Sequence, residues 1–117
     1  MKRAIRIYVD DIIEYMGRAT TYIEGLSFSE FSTDQKTSDA AIRCLEVIGE
    51  ATKQIPEEVR ARYPSIPWRA MAGMRDKIIH SYFTVDYEAV WLVIKEDIPE
   101  LEPLLKQIRD SYADGNE

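Results

Sequence analysis

Residues 5–26, IRIYVDDIIEYMGRATTYIEGL, decide the fold class of this chain. Ile5, Val9, Ile12, Ile13, Met16, Ala19, Ile23 and Leu26 recur at three- and four-residue intervals. That spacing follows the 3.6-residue turn of an α-helix and lays one apolar stripe along it. Gly25 and the polar run 27–34 end this first helix. A second stripe follows, made of Ala41, Ile42, Leu45, Ile48, Gly49, Thr52 and Ile55, with Thr37 or Ser38 as its cap. A glycine inside a helix costs about 1 kcal/mol relative to alanine. Gly49 therefore marks either a close helix contact or a tolerated defect.

The second half of the chain continues the pattern. Pro56 opens a short turn of helix, with Glu57 and Glu58 near its positive end. Pro64 and Pro67 bracket a linker, and Pro67 and Trp68 start a third helix with Met71, Met74 and Ile78 as its inner stripe. Gly73 lies within it, as a bend or a close contact. Thr84 or Asp86 caps a fourth helix that turns Val90, Trp91, Ile94, Ile98, Leu101, Leu105 and Ile108 inward. Pro99 kinks this helix or restarts it after Asp97. No alternating strand pattern or hairpin dipeptide competes, and there is no phosphate-cradling glycine loop and no repeat. The expectation is an all-α, antiparallel four-helix-type bundle with an extra short helix. It forms a single domain over residues 1–117, with a frayed tail after about residue 111.

Composition narrows the function. Hydrophobic residues are 45% and charged residues 31% of the 117, the balance of a soluble globular chain long enough for a real core. No apolar run approaches 18 residues and no leader-like segment stands out, so no membrane association and a cytoplasmic location are expected. Cys44 is the single cysteine; it reads as a small core residue, without partners for a disulfide, triad or metal site. The net charge of −6 argues against a broad nucleic-acid-binding surface. The charge is uneven, however. Between residues 60 and 77 lie Arg60, Arg62, Arg69, Arg75 and Lys77 against Asp76 alone, whereas 96–117 carries seven acids against Lys106 and Arg109. The first is a local basic rim compatible with phosphate binding; the second is a solvated face or a dock for a basic partner.

The only histidine, His80, stands beside that rim. It lies five residues after Arg75 and two before Tyr82. Histidine moves protons near neutral pH, and the arginine fork stays charged and fits phosphate oxygens. Together they suffice for phosphodiester chemistry without a metal or cofactor. On a continuing helix Arg75 and Tyr82 share a face, and Asp76 and His80 form an i,i+4 pair in which the carboxylate orients the imidazole. Arg75 and His80 are offset by about 140° and about 7.5 Å of rise on such a helix. To act together, Arg75 must reach across, the helix must end near His80, or a second subunit must complete the site. The plainer alternatives are a histidine compensating a helix dipole, an Arg–Asp pair in solvent, and a tyrosine packed on Phe83 or Trp91.

The whole pattern resembles the HEPN superfamily, and more closely the HepT toxins paired with a minimal nucleotidyltransferase antitoxin. Residues 41–51, AIRCLEVIGEA, are similar to that family's second helix, and residues 63–69, YPSIPWR, to the approach to its third. Residues 73–83, GMRDKIIHSYF, contain its R-x-x-x-x-H-x-Y motif in full. Asp76 stands where the family often has asparagine and Ser81 where glycine is common. The resemblance implies a metal-independent endoribonuclease acting as a homodimer, the toxin of a type VII-like module. Arg75 would clamp the phosphate, His80 would act as base or acid, and Asp76 would orient it. The cognate nucleotidyltransferase would neutralise the toxin by transferring AMP onto Tyr82. Two other readings stand beside it. One is a non-catalytic module that docks and regulates a nucleotidyltransferase, and the other a structural bundle with a vestigial Arg–His–Tyr set.

Overall fold

A computed structural model of the protein describes residues 2–81 and 84–113. Two long helices form its frame, α1 (Lys2–Ile23) and α3 (Gln35–Lys53). They run antiparallel: Tyr8 and Asp11 share a surface hollow with Glu50 and Gln54, while Tyr22 shares one with Lys36 and Thr37. The predicted stripes meet between them. Ile5, Val9, Ile12, Met16, Ala19 and Ile23 of α1 are buried, as are Ala41, Ile42, Leu45, Ile48 and Thr52 of α3. Gly25, at φ +80°, takes the left-handed conformation that a side chain would resist, and so stops α1 before Leu26.

The polar run 27–34 does more than end α1. It contains a short helix, α2 (Phe28–Thr33), set by a reciprocal cap. The Glu30 amide donates to Ser27 Oγ at 3.1 Å, and the Ser27 amide donates to Glu30 Oε1 at 2.9 Å. One buried aromatic, Phe31, anchors α2 against Trp91 and Tyr87. Asp34, rather than Thr37 or Ser38, caps α3, accepting from the Thr37 amide at 3.2 Å. Ser38 instead lies buried and donates its hydroxyl to Phe31 O at 2.6 Å, tying α2 to α3.

Three shorter helices follow: α4 (Glu57–Arg62), α5 (Trp68–Ala72) and α6 (Met74–Ile78). Pro56 and Pro67 occupy the positions before α4 and α5, and Gly73 separates α5 from α6. Gly49 is where α3 meets this segment: a Cβ there would sit 3.4 Å from Met71 O and 3.6 Å from Ala72 O. The last rod comprises α7 (Tyr87–Leu92), a π turn over Val93–Asp97 and α8 (Ile98–Ala113). Its cap is Asp86, which accepts from the Ala89 amide at 2.9 Å. The break near Pro99 is a widened turn rather than a kink. Ile98 N–H donates five residues back to Val93 O, just before a proline that has no N–H to give.

One expectation is overturned. A small antiparallel hairpin, β1 (Ile79–Ser81) and β2 (Thr84–Val85), joins α6 to α7, with Ile79 opposite Val85 and Ser81 opposite Thr84. The reason is a competing acceptor contact: Ile78 O receives the Asp86 amide at 2.8 Å, and Ile79 turns to φ −119°, ψ 110°. The fold remains an all-α bundle, with more than one short helix added to it. No helix among the described residues is long and apolar enough to cross a membrane.

Candidate active site

Arg75 lies in α6, with more than half of its side chain exposed, and its Nε donates to Glu46 Oε2 of α3 at 3.3 Å. The contact follows from the helix packing. Glu46 precedes Gly49 by three residues, so both lie on one face of α3. Gly49 lets α3 approach the α5–α6 backbone, with its Cβ position 3.7 Å from Met74 Cβ. Arg75 is the next residue, and the close approach puts its guanidinium within reach of Glu46.

His80 lies on β1, not on a helix. Ile79 and Ser81 are half-buried and His80 is exposed, the alternation of a strand with one face on the protein. Its Nε2 is 3.8 Å from Asp86 Oδ2. Asp86 has three attachments at this point. Its amide donates to Ile78 O, closing the hairpin; its Oδ1 caps α7; its Oδ2 faces the imidazole.

This geometry corrects the expected pairings. The helix stops at Ile78, so Asp76 and His80 are not one helical turn apart, and the carboxylate beside the imidazole is Asp86. The helix ends before His80, one of the three arrangements that the offset between Arg75 and His80 left open. Tyr82 lies outside the described residues. The face it was expected to share with Arg75 required the helix to continue, and that premise is gone. Neither Glu46 nor Asp86 stood out as a site residue in the sequence. Asp86 carried a capping signal that said nothing of His80. Glu46, 29 residues from Arg75, carried no local signal at all.

The basic rim is only partly available. Arg60 donates to Ile55 O and Thr52 O, both at 3.0 Å, and so satisfies carbonyls at the end of α3. Lys77 lies 3.8 Å from Asp97 Oδ2. This pair borders a groove of about 180 Å³ walled by Met71, Met74, Val93 and Leu101. Arg62 and Arg69 are exposed and enter no ion pair among the described residues. Cys44 is buried, and burial pushes its thiol up, so it is a small core residue and not a nucleophile. Among the described residues no three His, Cys, Asp or Glu side chains gather in a metal-binding group.

A fork of arginine donors and an imidazole, five residues apart on one exposed α6–hairpin segment and each near a carboxylate, are groups that can bind a phosphate and move a proton. Comparison with known proteins points the same way. A family model described as "Ribonuclease HepT-like" matches residues 12–108. Two proteins of Methanocaldococcus jannaschii, each named provisionally as an RNase, are 45% identical over 107 residues. The alignments cover 92% of this chain and 88% and 92% of the relatives. A protein of Thermococcus cleftensis, named provisionally as a ribonuclease HepT, is 45% identical over 109 residues, covering 93% of this chain and 99% of its own. No solved structure gives a significant match.

Proposed function

The chain belongs to the HepT-like ribonuclease family, and from that premise we propose that it is a metal-independent endoribonuclease with Arg75 and His80 as its catalytic residues. The observation that carries the reading is the placement of the motif. Arg75 and His80 leave the bundle on one α6–hairpin unit, both more than half exposed. RNA supplies its own nucleophile. His80 takes the proton of a 2′-hydroxyl, whose oxygen attacks the adjacent phosphorus. The 5′-oxygen leaves and receives a proton, and a 2′,3′-cyclic phosphate remains. Arg75 stabilises the charge on the phosphoryl oxygens. A homodimer with two facing motifs supplies a second imidazole as the acid.

The same reading extends to control. A cognate nucleotidyltransferase antitoxin transfers AMP from ATP onto Tyr82, two residues after His80: the phenol oxygen, losing its proton, bonds to the α-phosphorus as pyrophosphate leaves, and the added phosphate blocks RNA from the site. That would make the chain the toxin of a type VII-like module. A non-catalytic docking module is the second reading, favoured by the net charge of −6 and by the carboxylate already on each of Arg75 and His80.

One assay separates the two. Purified protein and a 5′-labelled RNA, with and without EDTA, should give fragments ending in 2′,3′-cyclic phosphate. Arg75→Ala and His80→Ala should each lower the rate by at least about 10²-fold with nearly unchanged thermal midpoints. Cleavage that survives His80→Ala, or stops with EDTA, would reject the mechanism. No cleavage by the unmodified chain would favour the docking module.

A further inference from the structure

We propose that Glu46 and Asp86 are positioning residues that hold the two halves of the site from behind, Glu46 acting on Arg75 and Asp86 on His80. The inference rests on the ribonuclease reading for its consequence in rate, but its geometry stands alone. Neither carboxylate belongs to the R-x-x-x-x-H-x-Y segment. They reach it from different parts of the bundle: Glu46 from the middle of α3, Asp86 from the start of α7.

The atoms used determine the consequences. Glu46 takes Arg75 by Nε, and among the described residues the paired Nη donors have no partner and suit two oxygens of a phosphate. An arginine held this way loses less freedom on binding than one swinging in solvent. Asp86 uses one oxygen for the Ala89 amide and presents the other to His80 Nε2. An acceptor on that side favours the tautomer with its proton on Nε2, which leaves Nδ1 unprotonated and able to act as a base. At 3.8 Å the contact is longer than a direct hydrogen bond, and it acts in the free chain through the carboxylate's charge, which favours a proton on the nitrogen that faces it.

Asp86→Asn separates this role from capping. Asparagine caps helices about as well as aspartate, so its oxygen keeps the Ala89 amide. Its NH₂ then faces His80, replacing the acceptor with a donor. Asp86→Asn should lower kcat by about 10²-fold with KM and the thermal midpoint nearly unchanged. Glu46→Gln offers a neutral acceptor of the same shape, and Glu46→Ala offers none. Glu46→Ala should raise KM by about threefold to tenfold with a smaller change in kcat, and Glu46→Gln should recover part of the loss.

A spectroscopic arm is independent of RNA. His80 is the only histidine, so its two imidazole ¹⁵N resonances are unambiguous. They should report a proton on Nε2 in the unmodified chain at alkaline pH and a shift toward the Nδ1–H tautomer in Asp86→Asn. If the unmodified chain cuts RNA and Asp86→Asn and Glu46→Ala both keep its kcat and KM, the positioning roles fall and the ribonuclease reading stands. If the unmodified chain cuts nothing, that reading falls, and the tautomer shift alone decides for or against the Asp86 contact. A lower KM in Glu46→Ala would overturn the Glu46 assignment, making that carboxylate a competitor of the phosphate.

Discussion

Replacing Gly49 with alanine should stabilise this protein, although Gly49 sits at a close helix contact behind the site. Two terms decide the sign. The first is helix propensity: Gly49 lies inside α3, where glycine costs about 1 kcal/mol relative to alanine. The second is space. The new methyl would meet Met71 O at 3.4 Å, Ala72 O at 3.6 Å and Met74 Cβ at 3.7 Å, all contact distances rather than overlaps. The propensity gain therefore survives nearly whole, at about 0.5–1 kcal/mol. For a chain of this size that is a rise of about 2–4 °C in thermal midpoint. Urea and thermal unfolding followed by circular dichroism would measure it. Gly49→Leu is the control. Its additional carbons point at two backbone carbonyls that cannot swing aside, and overpacking of this kind costs about 1–3 kcal/mol. Leucine should also push α3 from α6, part Glu46 from Arg75 and weaken RNA binding. A lower midpoint for Gly49→Ala would refute the claim that the methyl fits and the propensity gain survives, and full stability and activity for Gly49→Leu would refute the claim that this contact sets the distance between the helices.

Two further outcomes are expected. The carboxyl of Glu30 is held below its ordinary 4.5 by the Ser27 amide and hydroxyl, and that of Asp34 below its ordinary 3.8 by Thr37. A depressed carboxyl adds stability that is present above the unfolded value and is lost as pH falls through the folded one. The double variant Glu30→Gln, Asp34→Asn keeps both caps in neutral form. Its stability should therefore fall less steeply with acid below about pH 4.5, as read by urea titrations across that range; identical slopes would remove the caps from the acid response. With the cognate nucleotidyltransferase and ATP, intact mass spectrometry should show one or more AMP units added. Tyr82→Phe should resist both the mass shift and the loss of cleavage; AMP on another tyrosine of that variant would relocate the control point.

The long helices were legible because each carries its stripe over many turns, and Asp86 was legible as a cap because the signal is local. The segment 27–34 was readable too: Ser27 and Glu30 have capping-box spacing, but the polar residues around Phe31 masked the one side chain that anchors it. The hairpin was not readable. Strands of three and two residues are too short for an alternating pattern, and Ile78 and Ile79 continue a helical stripe as well as they begin a strand. That misreading moved His80 onto a helix and assigned it Asp76 as partner. Arg60 shows the limit of reading charge alone. It counted toward a phosphate-binding rim and serves instead to close the end of α3.

Asp86 ties the hairpin, caps α7 and faces His80. The tie is made by the backbone amide, but the cap is a side-chain task of folding, so selection for a stable bundle alone would preserve a capping residue such as aspartate or asparagine at this position in a relative that had stopped cutting RNA. Among the described residues Glu46 has no second task of that kind: its carboxylate is engaged with Arg75 through an ion pair at the surface, which adds little to stability. When lineages of this family are compared, an acid at position 46 is therefore the more informative sign of a working site, and the identity at position 86 distinguishes chiefly whether the imidazole meets an acceptor or a donor.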